Sequence, residues 1–132
     1  SNVTNMRSMF AGAASFNNNR LSRWDVSSVT NMEGMFHQAT SFNGDLSGWN
    51  VSNVTIMSGM FYHATSFNNN SISGWEVSNV TNMDEMFAGA TSFNADLSEW
   101  DISKVTNMED MFSEAESYNP APGRGLGERA GM

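Results

Sequence analysis

Apolar and polar positions follow one pattern that recurs along almost the whole chain. Each copy opens with Val-Thr-Asn-Met or, once, Val-Thr-Ile-Met, and successive copies begin 26, 25, 26 and 25 residues apart. The five copies, numbered here repeats 1 to 5, begin near Val3, Val29, Val54, Val80 and Val105. Because a fixed period of this length is the signature of stacked repeats, the chain is predicted to hold four copies of one unit plus a partial fifth.

The first half of each repeat has the spacing of one face of a helix. In repeat 2 the apolar residues at i, i+3, i+4 and i+7 are Met32, Met35, Phe36 and Ala39. Thr30 precedes them, and Glu33 three residues later completes a capping box of the kind found at helix N-termini. The pattern predicts a helix of two or three turns, which is too short to be stable without packing.

The second half of each repeat has the two-residue period of a strand. Trp49 and Val51 alternate with the polar Asn50, as in a short strand with one buried face. One strand and one helix in every 25 or 26 residues predict an α/β repeat fold, a right-handed β/α solenoid whose strands form a parallel sheet. This repeat domain is predicted to span residues 1–119.

Stacking of the repeats would place equivalent residues in columns through a common core. Two methionine columns, a phenylalanine column and a tryptophan column are predicted to be buried, the last comprising Trp24, Trp49, Trp75 and Trp100. The tryptophans could instead form an exposed row that stacks on sugars, but they share a face with Val or Ile two residues later, which favours the core. Residues 120–132 hold both prolines and leave the pattern, which predicts a flexible tail or a cap on the last repeat.

Composition narrows the classes of function. The chain of 132 residues has no cysteine and a net charge of −8, which argues against disulfide bridges, thiolate metal sites and nucleic-acid binding. The charge is uneven, since residues 29–119 hold twelve acidic residues and one lysine whereas residues 1–28 hold three arginines and one aspartate. No apolar run approaches the roughly 18 residues typical of a membrane span.

Candidate chemistry is sparse. The two histidines, His37 and His63, stand at different positions within their repeats, so they are interpreted as surface residues rather than as a metal or acid–base pair. Asp45 and Asp96 belong to alternate repeats and would lie about 10 Å apart, too far to share a calcium ion. The sequence therefore predicts no catalytic residues, no cofactor and no metal, and the protein is not expected to be an enzyme.

The outward side of the predicted strands is the candidate binding face. Its positions lie either between the inward Trp and Val or just before the Trp, and they differ from repeat to repeat. The candidate residues are Arg23, Asp25, Asn50, Glu76, Glu99 and Asp101. Repeat proteins use such an extended face for binding, although a solvated polar face without a ligand has the same pattern.

A long repeated phrase resembles a known family. Met86 to Met108 reads M-F-A-G-A-T-S-F-N-A-D-L-S-E-W-D-I-S-K-V-T-N-M. This phrase and its sister copies resemble the bacterial surface-protein repeat of the mycoplasma and Listeria lipoprotein type, which is grouped with the BspA-like leucine-rich repeats. The resemblance implies a leucine-rich-repeat-like solenoid exposed on a cell surface, with adhesion or recognition as its role and no catalytic residues.

Two functions follow as hypotheses. In the first, the chain is a cell-surface or extracellular module that presents its outward strand face to a protein or a glycan. In the second, it is a structural spacer or tile that associates head to tail, because repeat 1 is basic and the later repeats are acidic. Neither hypothesis involves nucleic acid or a membrane span.

Overall fold

Regular secondary structure is scarce in this protein. The structure, a computed structural model, describes residues 3–17 and 19–118. In these ranges the chain forms two short 3-10 helices, Asn19–Arg23 and Asn70–Ile72, and neither an α-helix nor a β-strand. The predicted tail, residues 120–132, lies outside the described residues.

The predicted α/β solenoid with a parallel sheet is therefore wrong, and the segment expected to be a helix is a series of turns. In repeat 2, the amides of Met35, His37 and Ala39 each donate to the carbonyl three residues earlier, at 3.0–3.2 Å. The amides that alternate with these donate instead to carbonyls of the next repeat. The Gly34 amide donates to Ser58 at 2.9 Å, and the Gln38 amide donates to Tyr62 at 2.7 Å. Alternate amides thus close turns within a repeat and join it to its neighbour.

Backbone conformation explains why no helix forms. Gly34 and Gln38 have φ of 60° and 59°, and the equivalent residues of every other repeat also have positive φ. An α-helix needs a negative φ at each residue, so a left-handed residue at every fourth position interrupts its i to i−4 hydrogen bonds. The turns still bury the side chains at i, i+3, i+4 and i+7, as a helix would: Met32, Met35, Phe36 and Ala39 are fully buried.

The parallel pairing between repeats lies elsewhere than expected. Single parallel bridges join one position of each Val-Thr-Asn-Met segment to the next, namely Asn5, Asn31, Ile56, Asn82 and Asn107. Beside them, Thr30 donates to the Thr4 carbonyl through both its amide, at 2.8 Å, and its hydroxyl, at 3.2 Å. The threonine expected to cap a helix therefore links two repeats. Around Trp49 the chain closes turns rather than a ladder, although the burial of Trp49 and exposure of Asn50 follow the predicted alternation.

Aromatic columns run through the stacked repeats. The Phe36 and Phe61 rings lie 5.5 Å apart and nearly parallel, and Phe61 repeats this geometry with Phe87. Within a repeat, Phe36 packs against Phe42 at 4.2 Å. Each such pair contributes about 0.5–1.5 kcal/mol beyond the burial of its area. The repeats are thus held in register by backbone hydrogen bonds outside the core and by stacked rings within it.

The tryptophan column is part of the core in the middle repeats. Trp49, Trp75 and Trp100 are 4–6% exposed, which confirms their predicted burial. Each indole N–H donates to a carbonyl of the preceding repeat; for Trp49 the acceptor is Leu21, at 2.6 Å. The buried polar end of each tryptophan is therefore paired, as burial requires.

Repeat 1 is less covered than the others. Met9 is 50% exposed and Trp24 is 36% exposed, whereas the methionines equivalent to Met9 in repeats 2 to 5 are fully buried. At the other end of the stack, Met111 and Tyr118 of repeat 5 are buried. The predicted burial of the methionine and tryptophan columns is therefore wrong only in repeat 1, for Met9 and Trp24.

Candidate functional site

All six residues of the predicted binding face are exposed, but the structure brings only some of them together. Glu76, Glu99 and Asp101 line one cleft of about 270 Å³ between repeats 3 and 4. Asn50 and Glu76 line a neighbouring cleft of about 520 Å³ between repeats 2 and 3. We call these four residues the Glu76 face. Arg23 and Asp25, which are also exposed, lie in neither cleft.

Local turns hold three of the four residues that lie between Trp and Val. The Asn50 Oδ1 atom accepts from the Ser52 amide at 3.0 Å and from its hydroxyl at 2.7 Å. Asp25 and Ser27 make the same two bonds, at 3.0 and 2.6 Å. Asp101 accepts from the Ser103 amide at 3.0 Å. These side chains are held by local hydrogen bonds; the aspartates offer a partner only their remaining lone pairs, and Asn50 also offers its amide donors.

These hydrogen bonds also lower the pKa of the carboxyl groups. The hydroxyl and the amide of Ser103 hold the pKa of Asp101 below its ordinary value of 3.8, and Ser27 does the same for Asp25. Hydrogen bonds to a carboxylate favour its charged form, which is the physical cause of the shift. Both groups are therefore fully ionised at neutral pH.

Glu76 is the exception among the four residues that lie between Trp and Val. Its position is equivalent to those of Asp25, Asn50 and Asp101, but its longer side chain makes no hydrogen bond or ion pair within the described residues. It is exposed, and it belongs to both clefts. The carboxylates of Glu76 and Glu99 are therefore both available to a partner, and Glu76 alone of this face lines both clefts.

A glycine keeps the space beside Glu76 open. A Cβ atom on Gly74 would have no atom within 4 Å, whereas one on Gly48, the equivalent residue of repeat 2, would lie 2.5 Å from the Ser22 carbonyl oxygen. Gly48 is thus required by a close contact, and Gly74 is not. The hydroxyl of Ser73, which lines the smaller cleft, is buried and has no hydrogen-bond partner.

A second surface was missed by sequence reasoning. His37 stacks on Tyr62 of the next repeat with ring centres 4.6 Å apart, and His63 contacts the other end of this pair at 4.4 Å from Tyr62. The two histidines, interpreted from the sequence as unrelated, are joined by the tyrosine between them. The available signal was the position of Tyr62, 25 residues after His37 and next to His63.

The described residues contain neither a metal-binding cluster nor a membrane-spanning helix. Residues 3–17 and 19–118 contain no group of three or more histidine, aspartate or glutamate side chains placed to hold a metal ion. In the same ranges no helix is both long and apolar enough to cross a bilayer.

Comparison with known proteins gives one match. The family described as Mycoplasma protein of unknown function, DUF285, matches residues 1–73 and 68–123. This supports the mycoplasma-type repeat expected from the sequence, whereas the match does not extend to the BspA-like leucine-rich repeats. No curated protein and no solved structure matches the chain.

Proposed function

Because the chain belongs to the DUF285 family, whose function is unknown, we propose a function from its own surface: a non-catalytic recognition module. The Glu76 face binds a partner macromolecule, a protein or a glycan, at the cell surface or outside the cell. Adhesion of one surface to another is the biological role that this activity would serve. No catalytic residue, cofactor or metal takes part.

The observation that carries the proposal is the pair of adjoining clefts that share Glu76. A carboxylate free of local hydrogen bonds stands between them, and Glu99 and Asp101 extend its negative charge into the next repeat. Trp49 and Trp75 also line the larger cleft, and because they are only 4% and 5% exposed they add little apolar surface. Polar groups around limited apolar area are typical of reversible recognition sites.

Charge defines the kind of partner. The Glu76 face has three carboxylates, and the lining residues of the two clefts include no lysine or arginine. Such a surface attracts cationic groups and speeds their association, and this effect weakens as salt is added. A protein with exposed lysine and arginine, or a glycan without acidic groups, matches the face.

The test compares two variants with the same loss of charge. Glu76→Gln/Glu99→Gln/Asp101→Asn removes three charges from the Glu76 face, and Glu109→Gln/Asp110→Asn/Glu114→Gln removes three from repeat 5. Binding of labelled protein to cultured epithelial cells and to a printed glycan array is measured for both and for the unmodified chain. The proposal requires that the first variant loses binding while the second keeps it. Equal binding by all three proteins would refute it.

Head-to-tail association is the second candidate function, and the exposure of repeat 1 favours it. Val3, Met9 and Trp24 leave apolar area uncovered at one edge of the stack. Arg7 pairs with Glu33 of repeat 2 at 3.5 Å, which shows that charges at this position can pair across neighbouring repeats. The equivalent residue of repeat 5 is the acidic Glu109. A second copy could therefore place Glu109 beside Arg7.

A further inference from the structure

A groove lies over the turns that replace the predicted helix, and it shares no lining residue with the Glu76 face. It has a volume of about 740 Å³ and runs over repeats 1 to 4. Its lining includes Gly34, Ser58 and Gly59, which carry little or no side chain, the rings of His37 and Tyr62, and the carboxyl groups of Glu33, Asp84 and Glu85. We call it the glycine groove.

The two glycines open the groove, and the backbone alone does not require them. Gly34 and Gly59 have φ of 60° and 61°. Ser8, Glu85 and Asp110 stand at the equivalent position of the other repeats and have φ of 58°, 55° and 56°. Residues with side chains adopt the same conformation in the same kind of turn, so glycine in repeats 2 and 3 relieves strain without being obligatory, and it also leaves space in the groove.

Several polar groups in the groove have no partner. The side chains of His37, Gln38, Tyr62 and Glu85 make no hydrogen bond within the described residues, although all four line the groove. Together they offer imidazole nitrogens, an amide, a phenol hydroxyl and a carboxylate, a mixture of donors and acceptors. A ligand that both donates and accepts hydrogen bonds would satisfy this mixture.

Several backbone amides in and beside the groove already join neighbouring repeats. The Gly34 amide donates to Ser58, the Gly59 amide to Asp84 at 2.8 Å, and the Phe61 amide to Met86 at 2.8 Å. An extended peptide that binds by adding a strand needs a continuous row of free backbone groups at an edge, and these amides are already paired. Side chains must therefore make the contacts, which disfavours a peptide paired through its backbone.

Charge excludes another class of ligand. Glu33, Asp84 and Glu85 line the groove, whereas its lining contains no lysine or arginine. An anionic ligand, such as a sulfated or sialylated sugar, would meet like charges and lose the favourable electrostatic contribution to binding. A cationic group donates hydrogen bonds but accepts none, so it would leave the donors of Gln38 and Tyr62 unpaired, and the lining favours an uncharged ligand rich in hydroxyl groups.

We propose that the glycine groove is a second binding site, and that its ligand is a neutral oligosaccharide. Sugar hydroxyls both donate and accept hydrogen bonds, as the unpaired side chains of the groove require. The stacked rings of His37 and Tyr62 form a rigid wall that fixes the ligand laterally. This site is additional to the Glu76 face and does not depend on it.

The test is a calorimetric titration of the full chain with neutral hexasaccharides of glucose, mannose and N-acetylglucosamine. Sialylated and sulfated oligosaccharides are titrated for comparison. At least one neutral sugar is expected to bind with a Kd of about 1 mM or tighter, and the anionic sugars are expected to bind more weakly. No binding of any neutral sugar near this concentration, or a preference for the anionic ones, would overturn the proposal.

Two variants test whether the sugar binds in the glycine groove. Gly59→Asn adds a side chain at a position where a Cβ meets nothing closer than 3.9 Å, so the fold should tolerate it while the groove is filled. Tyr62→Ala removes the wall. Each is expected to weaken sugar binding at least about tenfold. Asp110→Asn, at the equivalent position of repeat 5 and outside the groove, is the matched control and should leave the affinity unchanged.

A third comparison separates this site from the Glu76 face. The variant Glu76→Gln/Glu99→Gln/Asp101→Asn should bind the neutral sugar as the unmodified chain does. Loss of sugar binding in this variant, with full binding by Gly59→Asn, would assign the sugar to the Glu76 face and overturn the groove proposal. Thermal unfolding of each variant verifies that it is folded before its affinity is compared.

Discussion

His63 lies directly over Gly89 of the next repeat. A Cβ atom on Gly89 would come within 2.7 Å of the His63 ring, and Gly89 itself has a φ of 71°. The glycine thus answers two constraints, one conformational and one steric. Gly12 stands at the equivalent position of repeat 1 with a φ of 74°, and a Cβ there would meet nothing within 4 Å. Gly12 therefore has the conformational constraint alone, whereas Gly89 has both the conformational and the steric constraint.

Gly89→Ala should therefore destabilise the protein more than Gly12→Ala. The left-handed conformation costs an alanine about 1–2 kcal/mol in either place, and at position 89 the His63 ring must also move away, which adds a smaller cost there only. Denaturant unfolding measures both. In a His63→Ala background the clash should vanish. The free energy of unfolding lost on Gly89→Ala, measured against His63→Ala alone, should then equal the loss caused by Gly12→Ala. An undiminished cost would show that the ring does not lie over Gly89.

Substitution of Trp49 tests the paired indole. Trp49→Phe removes the indole donor to the Leu21 carbonyl, which still accepts from the Trp24 amide at 2.9 Å, so the expected loss is that of one hydrogen bond, about 0.5–1.5 kcal/mol. Trp49→Ala should cost about 3–5 kcal/mol because it also leaves a cavity. Trp24→Ala, in the partly exposed first repeat, is the control and should cost clearly less. Equal losses at both tryptophans would contradict the difference in burial.

Acid should destabilise the folded chain in part through Asp101. Its folded pKa lies below 3.8, so the unfolded state binds more protons as the pH falls below about 4, and stability is lost from there down to the folded pKa. Asp101→Asn should keep the turn, as Asn50 does, and make unfolding less sensitive to acid. The measurement is the free energy of unfolding between pH 2 and 7, roughly the range in which carboxyl groups titrate. An identical pH profile for the variant would contradict the link.

Head-to-tail association predicts a mass that rises with protein concentration. If repeat 1 receives a second copy, light scattering should show association that weakens in 1 M salt, where charges are screened within about 3 Å. Reversal of Arg7, Arg20 and Arg23 to Glu should weaken it as well. A strict monomer at every concentration would remove this candidate. Association insensitive to salt and to charge reversal would leave stacking without an electrostatic cause.

The sequence predicted burial far better than conformation. The spacing of Met32, Met35, Phe36 and Ala39 correctly assigned the inward side, because consecutive turns and a helix bury nearly the same positions. The glycines at positions such as Gly34 were the signal against a helix, since a left-handed residue at every fourth position cannot continue one.

The candidate site was predictable only in part. Exposure of the residues between Trp and Val follows from their alternation with buried neighbours. Glu76 and Asp101 occupy equivalent positions of neighbouring repeats, so their grouping follows from the repeat, whereas the separation of Arg23 and Asp25 from both clefts does not. His37 and Tyr62 are also equivalent positions of neighbouring repeats, and the histidines were not recognised as part of one surface because only their own positions were compared.

The central structural claim is that alternate amides join neighbouring repeats, because this pairing places both proposed surfaces. Scalar couplings across hydrogen bonds, measured by NMR on labelled protein, report each donor and acceptor directly. Couplings are expected from the Gly34 amide to the Ser58 carbonyl and from the Gln38 amide to the Tyr62 carbonyl. A coupling from the Gln38 amide to the Gly34 carbonyl, four residues earlier, would instead show a helix and contradict the account.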